Sequence, residues 1–135
     1  MTPEDEVREV MARYCWHVDH QQFPQWLALF APDCAWGARG ARLFEGSEAM
    51  GKLAAGLAKK AATGEPQRHF AANLLVEVDG DRATLRSYVA VIRISTGQAV
   101  TVGEYEVTLV KLDGRWKIQR MLFDAAAATT PAGSV

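Results

Sequence analysis

Three histidines hold most of the acid–base potential of this chain. His69 stands where the loop Thr63-Gly64-Glu65-Pro66 gives way to a strand-like run, with Phe70, Leu74 and Val76 just beyond it. An imidazole in that setting reads either as a hydrogen-bonded structural group or as a general base. His17 and His20 flank Asp19 and are spaced to share a helix face. No third ligand or supporting shell is evident around them, so no metal is expected. Asp19 is the unusual residue. It follows Val18 near the negative end of a helix dipole, where a carboxylate is disfavoured unless something compensates it. It reads either as a surface residue of the last turn or as a carboxylate turned inward to hold an imidazole. In the second case it accepts the Nδ1–H of a histidine, leaves Nε2 as a base and stabilises the cation formed on proton uptake. Asp19 and His69 are far apart in the chain, so spacing alone does not bring them together. Tyr14, Trp36, Tyr88 and Tyr105 read as core aromatics or as pocket walls, and Trp116 as structural. Cys15 and Cys34 read as reduced core thiols, with no zinc or CxxC spacing.

The elements that must position these groups follow from periodicity. Glu4 to Val18 reads as a helix, because Val7, Val10, Met11, Tyr14, Cys15 and Val18 fall on one face. Thr2 can cap it, Pro3 suits its first turn, and three acids sit at its positive end. A short second helix is expected from Pro24 to about Phe30, ended by Pro32-Asp33. Cys34 to Phe44 reads as a short β excursion. A third helix is expected from an N-cap at Ser47 to about Ala61. From Arg68 the period becomes strand-like. Strands are expected over Phe70–Val78, Arg82–Ile94, Ala99–Leu112 and Arg115–Phe123. Asp79-Gly80, Ser95–Gln98 and Asp113-Gly114 are the turns between them. Helices first and strands afterwards indicate α+β. The expected fold is a cone-shaped α+β barrel, a strongly curved antiparallel sheet packed over three N-terminal helices with an internal pocket. Residues 1–124 form one domain, and 125–135, rich in Ala, Thr, Pro, Gly and Ser, are expected to be a flexible tail.

Composition excludes several classes. The chain has 135 residues and a net charge of −1, with no basic cluster interleaved with aromatics, so no nucleic acid is expected. No apolar run approaches the roughly 20 residues that span a bilayer. The acidic N-terminus does not read as a signal peptide, and a cytoplasmic location is the default expectation.

Several stretches resemble the SnoaL-like domains of the nuclear transport factor 2-like superfamily. They are Tyr14-Cys15-Trp16-His17-Val18-Asp19, then Trp26 through Trp36, Arg68 through Leu74, Gly103-Glu104-Tyr105 and Asp113 through Ile118. Within that superfamily the likeness is nearest to the scytalone dehydratase and hexachlorocyclohexane dehydrochlorinase branch. There an Asp after the first helix and a His before the first long strand form a catalytic dyad. Asp19 and His69 occupy those positions. The resemblance further implies a pocket lined by Tyr14, Trp36, Val89, Val91, Thr101, Tyr105, Met121 and Phe123. The parity of Val89 with Val91, and of Thr101 with Tyr105, agrees with one inward face. It also implies a homodimer or homotrimer. Tyr88, Ile92 and Ile94 lie on the opposite parity and are free to face a partner or pack elsewhere.

The departures are specific. Val91 and Arg93 stand where scytalone dehydratase has a second histidine, and Val18 stands where it has a tyrosine. Met121 and Tyr14 stand where the dehydrochlorinase has Arg and Lys. Neither substrate is therefore implied. The expected activity is a cofactor-free lyase of dehydratase or dehydrohalogenase type, acting on a small hydrophobic, cyclic molecule. A non-catalytic small-molecule-binding domain is the rival reading, and an isomerase or cyclase of the same superfamily is another.

Overall fold

The structure is a computed structural model that describes residues 1–125. Beyond Ala125, the tail expected from the sequence lies outside the described residues.

Helix α1 (Pro3–Asp19) forms as its pattern predicts. The Thr2 hydroxyl accepts the Asp5 N–H at 3.1 Å, and Glu4, Asp5 and Glu6 complement the dipole. Val7, Met11, Tyr14 and Cys15 are its buried residues. Helix α2 (Phe23–Leu27) stops short of the expected Phe30. The reason is tertiary. Strand β1 (Phe30–Ala38) begins there, because Phe30 pairs with Ile118 and the Ile118 N–H donates to the Leu29 carbonyl at 2.8 Å. The β excursion thus begins four residues early, counting from Cys34 back to Phe30. Pro32 is accommodated where the register shifts between Phe30 and Ala35, as a proline in a strand requires.

A two-residue strand β2 (Phe44–Glu45) leads into α3 (Gly46–Ala61). Ser47 is not the N-cap. Glu45 holds that position with no side-chain cap bond. The Ser47 hydroxyl instead donates to the Pro32 carbonyl at 3.2 Å, fastening the start of α3 to the irregular part of β1.

Four long strands follow: β3 (Gln67–Asp79), β4 (Arg82–Arg93), β5 (Ala99–Leu112) and β6 (Arg115–Asp124). They form the expected antiparallel meander. Asp113 and Gly114 close the last hairpin with φ of 50° and 78°, the double positive φ that selects Asp-Gly there. The first hairpin turns one residue later than its Asp-Gly signal. Asp79 still pairs with Arg82, so Gly80 and Asp81 form the loop and Gly80 takes the positive φ.

The sheet order is β2-β1-β6-β5-β4-β3. The β1–β6 pair is parallel, so the six-stranded sheet is mixed, and it curves without closing into a barrel. The fold is otherwise the expected curved sheet over three helices. Its inner face contributes Leu85, Val89, Val107, Leu109, Ile118 and Met121 to a core shared with α1, Trp26 and Met50. Tyr88 lies exposed on the outer face with Phe70 and Val102, while Ile94, also exposed, falls in the turn after β4 rather than on a strand.

Strand β3 is a sheet edge, and its unpaired amides need partners. Helix α1 covers its first half. Asn73, at φ 58°, marks the bulge between Ala72 and Leu75.

Candidate active site

The end of α1 and the start of β3 bring Asp19 and His69 together. Asp19 Oδ1 lies 2.6 Å from His69 Nδ1, and Asp19 Oδ2 accepts the His69 backbone N–H at 2.9 Å. The carboxylate side chain is only 5% exposed and the imidazole 20%. This arrangement has a local cause. His69 belongs to the edge strand, where alternate N–H groups point away from β4, and Asp19 is the group that satisfies this one. The same two contacts fix the imidazole. A carboxylate only accepts, so Nδ1 carries the proton, and in the neutral ring Nε2 carries the lone pair.

Asp19 and His69 stand in the wall of a cavity of about 580 Å³ between the helices and the open end of the sheet. That volume is in the range of small-molecule sites. Tyr14, Trp36, Val91, Thr101, Tyr105 and Phe123 line it, as the family pattern implies. Val89 and Met121 do not. Each is 1% exposed and packed in the core, Val89 opposite Gly103 and Met121 opposite Val107. Strand parity sets which face a side chain takes but not whether its neighbours cover it. Phe23, Trp26, Leu57 and Lys60 also line it, and nothing in the sequence pattern singled them out. Trp26 carries a signal in retrospect: it is an aromatic beside Pro24 in a helix too short to stand alone.

The polar part of the cavity is a small hydrogen-bonded group. The Trp36 Nε1–H donates to the Tyr14 hydroxyl oxygen at 2.9 Å. The Tyr105 ring packs edge to face on Tyr14 with centroids 6.0 Å apart. Burial pushes both phenols well above their ordinary range, so both remain O–H donors at neutral pH. Indole nitrogen can only donate, so Tyr14 accepts from Trp36 and keeps its own proton to give. Cys15, also next to this site, is pushed up to about 12, first by burial and then by the Asp19 charge, and is no nucleophile.

Gly103 shapes the same wall. It faces inward between Thr101 and Tyr105, and a Cβ there would lie 2.7 Å from Phe123 Cε1 and overlap the Asp124 carbonyl oxygen. The phenyl ring lies in the space that the missing side chain leaves. Gly103→Ala is expected to cost about 1–3 kcal/mol through overpacking and to displace Phe123 from its place. Urea denaturation measures this, and an unchanged midpoint would show that β6 yields without strain.

His17 and His20 do other work. His17 Nδ1 is 2.7 Å from Gln22 Oε1, and His20 Nδ1 is 2.8 Å from the Trp16 carbonyl. Among the described residues no group of three or more His, Cys, Asp or Glu is placed to hold a metal, and no helix is long and apolar enough to cross a membrane.

Comparison with known proteins agrees with this architecture. The family model described as SnoaL-like domain matches residues 1–122. No curated protein matches the chain. A variant of Rv3472 from Mycobacterium tuberculosis, a protein of unknown function, is 29% identical with a TM-score of 0.79, over 95% of this chain and 80% of that one. An NTF2-like protein with a cystatin-like fold from Novosphingobium aromaticivorans is 24% identical with a TM-score of 0.81, over 93% of this chain and 83% of that one. A "Putative Scytalone Dehydratase" from the same organism is 24% identical with a TM-score of 0.77, over 90% of this chain and 83% of that one. At such identities the last two establish a shared fold.

Proposed function

This chain belongs to the SnoaL-like domain family, and on that premise we propose that it is a cofactor-independent lyase acting on a small, mostly apolar, ring-bearing molecule. The observation that carries the proposal is the 2.6 Å contact between Asp19 Oδ1 and His69 Nδ1 in the wall of an aromatic-lined cavity.

The chemistry follows from those groups. His69 Nε2 removes a proton from a carbon of the substrate. The electron pair left behind forms a double bond to the adjacent carbon. That carbon releases its leaving group, a hydroxide or halide, with the pair of its own broken bond. Tyr14 donates a hydrogen bond to the departing atom or to a neighbouring oxyanion, polarised by the Trp36 N–H. Asp19 holds the imidazolium formed in the first step until it returns the proton to the departing group or to water. The apolar walls exclude water and strengthen each of these contacts.

The structure described as a "Putative Scytalone Dehydratase" supports this class of reaction as an analogy of fold only, since Val18, Val91 and Arg93 replace groups expected of such an enzyme. The six aromatic residues in the cavity wall equally suit a domain that binds a ring and leaves it unchanged. A panel of hydroxylated and halogenated cyclic compounds, assayed for elimination by loss of the parent compound, separates the two. Turnover by the wild type is expected, with His69→Ala at least about 100-fold slower. Binding without turnover across the panel would favour the ligand-binding domain, and full activity in His69→Ala would remove His69 from the mechanism.

A further inference from the structure

Asp19 and His69 have a second side. Behind them, between α1 and the edge strand β3, lies a separate groove of about 350 Å³. Its composition differs from that of the inner cavity. Trp16 is 60% exposed and stacks on His20 with ring centroids 4.3 Å apart and an interplanar angle of 23°. Phe70, 57% exposed, stands on the outer face of β3 and lines the groove from that side. An exposed aromatic held in one place by stacking, as Trp16 is, is costly to leave in water, and exposed aromatics are common at binding surfaces.

The charges at this groove are mainly of one sign. Arg68 lines it, and among the described residues no carboxylate lies within ion-pair distance of its guanidinium, which donates instead to the Gln67 carbonyl at 2.9 Å. Arg8 lines it too, with one guanidinium nitrogen 3.0 Å from Asp5. The one acid in the lining is Asp19, and both its oxygens are engaged by His69. The floor includes Met11 and Ala71, which are apolar.

We infer that this groove is a binding site for a small aromatic carboxylate, with the ring against Trp16 and Phe70 and the carboxylate on Arg68. Arg guanidinium pairs with carboxylate through parallel N–H donors, and Arg and Trp both stack on flat rings. The inference does not depend on the lyase reading, because it rests on different side chains and requires no chemistry.

The experiment uses the four tryptophans as reporters. Trp16 lines the groove, Trp26 and Trp36 line the inner cavity, and Trp116 lies in the core. Uniformly ¹⁵N-labelled protein is titrated with 2-naphthoate while the indole N–H resonances are followed. The Trp16 signal is expected to shift to saturation, with those of Trp26 and Trp36 unmoved. The neutral 2-naphthamide and the Arg68→Gln variant are each expected to bind at least about tenfold more weakly. Equal affinity for the amide would overturn the role of charge. A saturating shift at Trp36 and not at Trp16 would place the ligand in the inner cavity. No saturation up to millimolar naphthoate would reject the site.

Discussion

Asp19→Asn is expected to slow turnover about a thousandfold or more while the protein remains folded. The carboxylate answers two donors at once, the His69 backbone N–H at 2.9 Å and its Nδ1–H at 2.6 Å. An asparagine offers one acceptor oxygen and one donor NH₂ in the same space. If the oxygen stays on the backbone N–H, the NH₂ faces Nδ1, and the ring must move its proton to Nε2. The base is then occupied. If the amide flips, the tautomer survives but two N–H groups confront each other on the edge strand. In both cases the imidazolium that the proposed proton abstraction forms would lose its counter-charge. A carboxylate-to-amide change at the equivalent position of a Ser-His-Asp triad costs about 10⁴ in kcat for the same reason. Asp19→Ala behaves differently. It removes both acceptors and leaves a part-buried backbone N–H unpaired, at about 1–3 kcal/mol of stability in addition to the lost activity. Steady-state kcat, urea denaturation and ¹⁵N shifts of the His69 ring check the pair of variants. If Asp19→Asn retained wild-type kcat with its ring proton still on Nδ1, Asp19 would be only a cap for the edge strand.

Trp26→Ala is expected to be the most destabilising of the cavity-wall substitutions, at about 3–5 kcal/mol. That is a large part of the roughly 5–15 kcal/mol that holds such a domain together. Trp26 is fully buried, with ring centroids 5.0 Å from Phe30, 5.7 Å from Tyr14 and 6.3 Å from both Phe23 and Trp36. It is the one fully buried residue of α2, a five-residue helix without a side-chain cap whose Phe23 and Leu27 pack against the core only in part. The same indole packs against Tyr14 and Trp36, whose mutual hydrogen bond shapes the polar part of the cavity. Trp26→Phe is expected to cost far less than the alanine. Trp26 Nε1 has no hydrogen-bond partner among the described residues, so removing it relieves a buried, unpaired donor and offsets part of the lost ring area. Comparison of urea midpoints decides this. Equal losses in the two variants would mean that the indole N–H is satisfied in solution, for example by a buried water.

These two residues show unequal legibility in the sequence. Asp19 was conspicuous because a carboxylate at the negative end of a helix is locally unfavourable. Trp26 was not, because α2 is too short for periodicity to report a buried face. The Ser47 cap failed for a related reason. Its residue type was right for a cap, but α3 begins at Gly46, so its hydroxyl fastens α3 to β1 instead.

What the sequence determined by itself was the set of interactions that a few neighbouring residues can decide. Helix α1 follows from one apolar stripe, the Thr2 hydroxyl and three acids. The meander follows from strand parity and Asp-Gly turns, and the inward orientation of Val91, Thr101 and Tyr105 from a period of two. Tertiary structure decided what joins distant segments. It set the parallel pairing of β1 with β6, the burial depth that withdraws Val89 and Met121 from the cavity, and the meeting of Asp19 with His69 fifty positions away. That last contact has a definite cause. It forms because β3 is left as a sheet edge, where an unpaired N–H must find an acceptor and the end of α1 supplies one. No periodicity in the chain encodes which strand will be an edge, since that depends on the order in which all six strands pair.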